Sequence, residues 1–248
     1  MKGISAAIIT YNEADRIDAC LDALGFCDEI VVVDSGSDDG TQALARKKAS
    51  RVVHRDWPGF KEQKTYAAGL AEGPWILLLD ADEIVDGRLA ENIKNMPDDP
   101  EVDGYMIRRD LYFMGKQMKH GARPDWLLKL FRKDKALFCG GDTHPHVEVK
   151  GPVGKLEGSL MHHSYRNIED YFARFNRYTT LAAGERMAAG RRFSFFQNFR
   201  VFYEFAVRYF LRLGFLDGYP GFVYAMLSSF YAWTKYIKLR ELENNLKK

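Results

Sequence analysis

Trp75-Ile76-Leu77-Leu78-Leu79-Asp80-Ala81-Asp82-Glu83 is an unbroken apolar run that stops at a group of acids. A run with no polar face fits a strand covered on both sides, as strands are inside a parallel sheet. Where such a strand leaves the sheet, its last residues face the crevice in which ligands of open α/β sheets bind. Residues two apart in an extended chain project to the same side, so Asp80 and Asp82 can address one point. Two carboxylates so placed suit a hard divalent cation that stays partly open to water and phosphate oxygens.

Upstream the pattern repeats. Residues 4–9 are a short apolar run, followed by Thr10-Tyr11-Asn12-Glu13, which can cap a helix through about residue 24. Glu29-Ile30-Val31-Val32-Val33-Asp34 is a β-branched run ending in an acid. Residues 35–40 then form a turn, and a helix is expected over 41–49. Residues 51–54 read as a third strand and 60–72 as a third helix. This alternation predicts parallel βαβ units and an α/β fold. Three strand ends then carry polar residues: 10–13, 34–38 and 80–83. No Gly-x-Gly-x-x-Gly follows the first strand and no P-loop motif occurs, which argues against a standard dinucleotide fold and a P-loop enzyme.

With 248 residues, 46% of them hydrophobic, the chain can bury a sizeable core without disulfides or a structural metal. Twenty-one Gly and eight Pro, with no repeat, exclude a collagen-like or disordered chain. Cys20, Cys27 and Cys139 are too scattered for a disulfide framework, which suits a reducing compartment. The opening Met1-Lys2-Gly3-Ile4 leads straight into a strand, so no signal peptide is expected ahead of it. A net charge of +2 argues against a nucleic-acid partner held by bulk charge. That charge is unevenly spread: residues 191–248 carry +6 and the remainder −4. An acidic body with a basic, aromatic tail suggests chemistry in front and attachment or acceptor capture behind.

Thr10-Tyr11-Asn12-Glu13, Val33-Asp34-Ser35-Gly36-Ser37-Asp38-Asp39-Gly40-Thr41 and Leu79-Asp80-Ala81-Asp82-Glu83 together resemble the three signatures of family 2 glycosyltransferases. These are inverting, nucleotide-sugar-dependent enzymes of the GT-A fold. The resemblance implies a Rossmann-like mixed sheet flanked by helices over residues 1–165, with a helical extension over 166–248. Later segments, Leu130-Phe131-Arg132, His162-His163-Ser164-Tyr165 and Gly214-Phe215-Leu216-Asp217-Gly218, are similar to the branch that builds the lipopolysaccharide inner core. Within that branch the likeness is to β-1,4-glucosyltransferases. It implies a UDP-sugar donor, UDP-glucose first among them, a lipid-linked glycan acceptor and a divalent metal, Mn2+ or Mg2+. A polyprenyl phosphate or capsule glycan as acceptor, and a silent nucleotide-sugar-binding module, are the competing readings.

The same resemblance distributes roles. Thr10, Asn12 and Glu13 would line the nucleobase and ribose pocket, and Asp34 would accept hydrogen bonds from ribose or base. Ser35 and Asp38 would assist, though Asp38 can equally cap the helix after it. Lys64 would reach phosphate from the third helix, or else be a solvated helix lysine. Asp80 and Ala81 would complete the nucleotide pocket, and Asp82 would ligate the metal, joined by the late His162. Relatives in this branch carry a Val-His-Glu-like signature after Leu-Phe-Arg; this chain has Asp142-Thr143-His144-Pro145-His146-Val147-Glu148 instead. The general base is therefore Glu148 or Asp142, with Glu148 favoured.

In the tail, Phe195, Phe199, Phe202, Ala206, Tyr209 or Phe210, and Leu213 recur at three- and four-residue steps, the pattern of one apolar helical stripe. Arg200, Glu204, Arg208 and Arg212 fall on another face at i, i+4 spacing. Such a helix fits an anionic membrane surface and a peripheral enzyme on the cytoplasmic face. Packing of the tail on itself or in a homo-oligomer is the alternative. The apolar stretch 222–234 is too short to span a bilayer.

Overall fold

The computed structural model describes residues 3–97, 100–140 and 145–246. The chain forms two compact units, residues 1–110 with 125–162, and residues 111–124 with 163–248. The helical tail expected from residue 166 thus packs with a segment from the middle of the chain.

In the first unit β1 (Ile4–Thr10), β2 (Glu29–Asp34), β3 (Arg51–His54) and β4 (Trp75–Asp80) are parallel, in the order β3-β2-β1-β4. Helices α1 (Ile17–Asp22), α2 (Thr41–Ala45) and α3 (Phe60–Leu70) connect them. There follow β5 (Glu83–Val85), α4 (Gly87–Lys94), β6 (Gly104–Phe113), whose last three residues pass into the second unit together with β7 (Lys116–Gln117), and β8 (Asp125–Arg132). The unit closes with β9 (Ala136–Cys139), β10 (His146–Val149) and β11 (Val153–His162). β8 joins β4 antiparallel, and the sheet continues β8-β6-β11-β5, giving a mixed sheet. β9 and β10 form a separate antiparallel ribbon.

The apolar runs explain the layering. Alternate residues of each strand enter opposite layers, because side chains alternate across a pleated strand. Ile4, Ala6, Ile8, Val32, Leu77 and Leu79 pack with Ile17 and Leu21 of α1 and Leu89 and Ile93 of α4. Ala7, Ile9, Val31, Val33, Ile76 and Leu78 pack on the other face with Ala67 and Ala68 of α3. Each fully buried Ile, Leu or Val contributes roughly 1.5–3 kcal/mol, which is why runs with no polar face end up here.

The first two helices are shorter than expected. Residues 10–13 do not cap a helix: Asn12 takes a left-handed φ of 52°. Its neighbourhood is tied instead to the loop after β2. The Asn12 and Glu13 amides donate to Ser37 Oγ (2.8 Å) and Thr41 Oγ1 (2.8 Å), and the Asp38 amide donates to Asn12 Oδ1 (3.0 Å). α2 starts after Gly40 with no side-chain cap, and the Asp39 carboxylate, not Asp38, accepts from the Thr41 amide (3.0 Å).

The second unit is built on α5 (Ile168–Ala188), which the Asn167 side chain caps, and α7 (Tyr219–Asn245). They pack through Phe175 stacked on Phe230 and through Ala183, Tyr236 and Leu239. Between them the single amphipathic helix expected over 195–213 is replaced by shorter pieces. These are a 3-10 turn at Phe195–Phe199, α6 (Arg200–Ala206) and a π-turn at Val207–Leu211. The stripe therefore does not bury as one face. Phe195, Phe199, Phe202, Phe210 and Leu213 are exposed, while Tyr209 stacks on Phe205. The tail also packs on itself: the Trp233 indole donates to Asn198 Oδ1 (3.2 Å), and Phe205 meets Phe222. Among the described residues no helix is long and apolar enough to cross a membrane.

Asp217 holds the second unit together. It is buried, and its carboxylate accepts from the amides of Lys119 (3.1 Å), His120 (3.0 Å) and Gly121 (3.0 Å). Asp217→Ala strands these donors, each unmade bond costing about 1–3 kcal/mol. A fall of at least about 3 kcal/mol in unfolding free energy is expected by denaturant titration; an unchanged midpoint would refute the assignment.

Candidate active site

The parallel register aligns three strand ends. Thr10 pairs with Asp34 across β1 and β2, and Ile9 with Asp80 across β1 and β4. Asp34 is fully buried, and its carboxylate is occupied by its own loop. Oδ1 accepts from the amides of Gly36 (3.0 Å) and Ser37 (2.9 Å) and from Gln42 Nε2 (2.7 Å), and the Ser37 hydroxyl donates to Oδ2. Asp34 shapes the loop 35–42, and through Ser37 it fixes the Asn12 turn. Ser35 accepts from Gln63 Nε2 of α3 (3.0 Å), and Asp38 is exposed at the loop's rim.

Below this rim lies a compact charge cluster. Lys64 of α3 reaches Asp80 (2.8 Å to Oδ1, 3.0 Å to Oδ2), so in this structure it serves a carboxylate at the strand end rather than solvent. Lys129 of β8 is buried, 2.5 Å from Glu83 and 3.6 Å from Asp80. Glu83 is fully buried, accepts from the Asp80 amide (3.1 Å) and faces Arg109 of β6 at 3.4 Å. Burial by itself would raise the Asp80 pKa, but Lys64 and Lys129 outweigh it and hold the carboxyl well below the usual range. Burial would likewise lower Lys64, and Asp80 with Glu83 hold its ammonium above the ordinary value. Asp80 is therefore an anion at neutral pH.

The sequence pattern places Glu83 at the strand end without a role of its own and does not single out Lys129 or Arg109. The signal for Lys129 was present: a lysine inside Leu127-Leu128-Lys129-Leu130-Phe131 must find a buried acid or break the strand.

Asp82 sits in the turn between β4 and β5. β11 brings His162 to it through the register that pairs His162 with Glu83. The imidazole Nε2 lies 3.4 Å from Asp82 Oδ2, and both side chains are largely buried. The end of β11 is locked in place: Asp86 accepts from the Ser159 amide (2.8 Å) and hydroxyl (3.0 Å) while capping α4 through Leu89 (2.7 Å). Gly158 makes that approach feasible, since a Cβ there would stand 2.3 Å from the Leu89 nitrogen. A carboxylate and an imidazole side by side form an N/O donor pair of the kind divalent transition metals accept. Among the described residues no group of three or more His, Cys, Asp or Glu side chains forms a complete metal cage.

Glu148 lies on the ribbon. Val147 and Val149 of β10 face the inner layer with Phe138, which leaves His146 and Glu148 on the outer side. Glu148 is exposed and pairs with His146 at 3.0 Å. Asp142 and His144 lie outside the described residues. The three cysteines are free thiols; burial pushes Cys27 up to about 12, which leaves it unreactive at neutral pH.

The mixed sheet with its aligned parallel-strand ends is of the GT-A kind, and residues 5–150 match the family model for glycosyl transferase family 2. The chain belongs to that family and is a glycosyltransferase. It is 31% identical to the lipopolysaccharide core biosynthesis glycosyltransferase LpsC of Rhizobium meliloti (strain 1021), over 95% of this chain and 91% of that protein. An uncharacterized glycosyltransferase of Rickettsia felis is also 31% identical, over 97% of this chain and 90% of its own. Among solved structures, S. aureus TarS (residues 1–349) superposes with a TM-score of 0.49 at 17% identity, covering 100% of this chain and 91% of that one.

Proposed function

We propose that the protein transfers a hexose, with inversion, from a UDP-sugar, UDP-glucose first among them, to a lipid-linked glycan of the lipopolysaccharide inner-core type. The observation that carries this reading is the Asp82–His162 pair, 3.4 Å apart beside an ionised Asp80 at the carboxyl end of the parallel strands. Similarity to a lipopolysaccharide core glycosyltransferase over nearly the whole chain supports the acceptor class.

In this reading Thr10, Asn12 and Glu13 line the base and ribose side, on the loop pair that Asp34 and Ser37 stabilise, with Ser35 and Asp38 at its edge. Asp80 and Ala81 close the pocket. Lys64 keeps Asp80 ionised and lends positive charge to the diphosphate side. Asp82 and His162 would hold Mn2+ or Mg2+, which when bound supplies Lewis acidity to the leaving diphosphate. Glu148 takes the proton from the acceptor hydroxyl as that oxygen attacks the anomeric carbon from the face opposite the diphosphate; His146 orients the carboxylate. The exposed aromatic surface of residues 195–219, flanked by arginines, fits a peripheral enzyme on the cytoplasmic membrane face.

Two experiments test this. UDP-glucose with Mn2+ should raise the melting temperature, since a ligand at a hundred times its dissociation constant adds about 2.7 kcal/mol. Silence toward every nucleotide sugar, with and without metal, would sink the donor reading, and turnover with a heptose-bearing acceptor tests the acceptor. Glu148→Gln should lower turnover roughly 10²–10⁴-fold with donor affinity kept. A larger loss in Asp142→Asn would move the base to Asp142.

A further inference from the structure

The turn after α6 is built at a local cost. At Val207–Leu211 the helix widens to a π-turn, closed by the Arg212 amide on the Val207 carbonyl (2.8 Å). Leu213 follows with a left-handed φ of 56°, a conformation that non-glycine residues rarely adopt. Gly214 then packs so closely that a Cβ would stand 2.6 Å from the Arg208 carbonyl oxygen. π-turns of one turn length concentrate at functional sites.

What this turn presents is under-neutralised positive charge. Arg208 and Arg212 lie one turn apart, and Arg123 is in electrostatic reach of Arg212. Glu204 is the acid facing them, and it is already paired with Arg200 at 3.0 Å; Arg208 Nε stands 3.8 Å from it, beyond hydrogen-bond distance. Among the described residues the buried Nε–H groups of Arg208 and Arg212 have no acceptor. Burial, with Arg208 and Arg123 close by, holds the Arg212 guanidinium below the ordinary arginine value. The same stretch of chain exposes large apolar side chains, Phe196 at 80%, Leu211 at 77% and Phe202 at 71%.

We infer that Arg208 and Arg212 form a binding site for a phosphoryl group. A guanidinium offers paired N–H donors that match phosphate oxygens, and an anion there would satisfy the two stranded Nε–H groups and relieve the mutual repulsion. The exposed apolar side chains of the same stretch point to an amphiphile as its carrier. This inference concerns the second unit alone and stands whether or not the donor reading holds.

The test uses the full chain and its Arg208→Gln/Arg212→Gln double variant at constant ionic strength, the balance made up with sodium chloride. Inorganic phosphate at tenfold excess over its dissociation constant should raise the wild-type melting temperature by roughly 3 °C. The double variant, freed of repulsion, should melt no lower than wild type without phosphate and should lose the shift. Phosphatidylglycerol vesicles, with phosphatidylcholine vesicles as control, identify the carrier. A tenfold or larger loss of phosphatidylglycerol binding in the variant assigns the site to lipid headgroups; unchanged vesicle binding with a lost phosphate shift assigns it to a soluble phosphoryl group. A phosphate shift retained by the variant overturns the inference, as does wild type insensitive to phosphate whose vesicle binding the substitutions leave unchanged. If the double variant does not fold, Arg212→Lys carries the test. The lysine keeps the charge but lacks the Nε–H, so an undiminished phosphate shift and vesicle affinity would overturn the site.

Discussion

Asp82→Ala is expected to lower glycosyl transfer about a thousandfold and to remove its dependence on Mn2+. The leaving diphosphate develops charge that a Lewis acid stabilises by several kcal/mol, and each 1.36 kcal/mol is worth a factor of ten. Asp82 lies in the turn between β4 and β5, and its partner His162 is held independently by the Asp86–Ser159 lock. The variant should therefore fold with a near-native melting temperature, so that the loss reports chemistry and not collapse. Activity with undiminished manganese dependence would show that another residue holds the metal. His162→Ala should produce a smaller loss in the same direction. Lys64→Ala should weaken donor binding less than Asp82→Ala does.

The second large effect is on stability. Lys129→Ala removes the nearer cation from a fully buried Glu83 and leaves it with Arg109 at 3.4 Å. Breaking one side of a buried ion pair typically costs about 3–5 kcal/mol, because the remaining charge keeps its desolvation penalty. For a chain of this size that corresponds to roughly 10 °C in melting temperature. The double variant Glu83→Gln/Lys129→Met takes away both charges and should recover most of the loss. A Lys129→Ala protein that melts with wild type would refute the stabilising role of this ion pair.

The strands that build the crevice were legible because they are buried on both faces. Residues such as Val31, Val32 and Val33 have no polar position to confuse the period, and their ends at Thr10, Asp34 and Asp80 align as the parallel register requires. His162 stands beside Asp82 through a pairing between strands far apart in sequence, which no local pattern displays. What local pattern could not show is side-chain bookkeeping inside the loops. Thr10 to Glu13 reads as a helix cap, yet the hydroxyls of Ser37 and Thr41 capture those amides first. Asp34 looks like a ligand for ribose, and the structure spends its carboxylate on its own loop. The π-turn was invisible for another reason. Arg200, Glu204, Arg208 and Arg212 keep a four-residue spacing that an α-helix satisfies equally well, and one extra residue in a turn leaves no compositional trace.

The central claim is that Asp82 and His162 make a metal-dependent nucleotide-sugar site. Calorimetric titration of UDP-glucose into metal-free protein, with and without Mn2+, tests it most directly. The account predicts saturable one-site binding with Mn2+ that chelator abolishes and that Asp82→Ala lacks. Equal affinity in manganese and in chelator, or an Asp82→Ala titration superimposable on wild type, would contradict it.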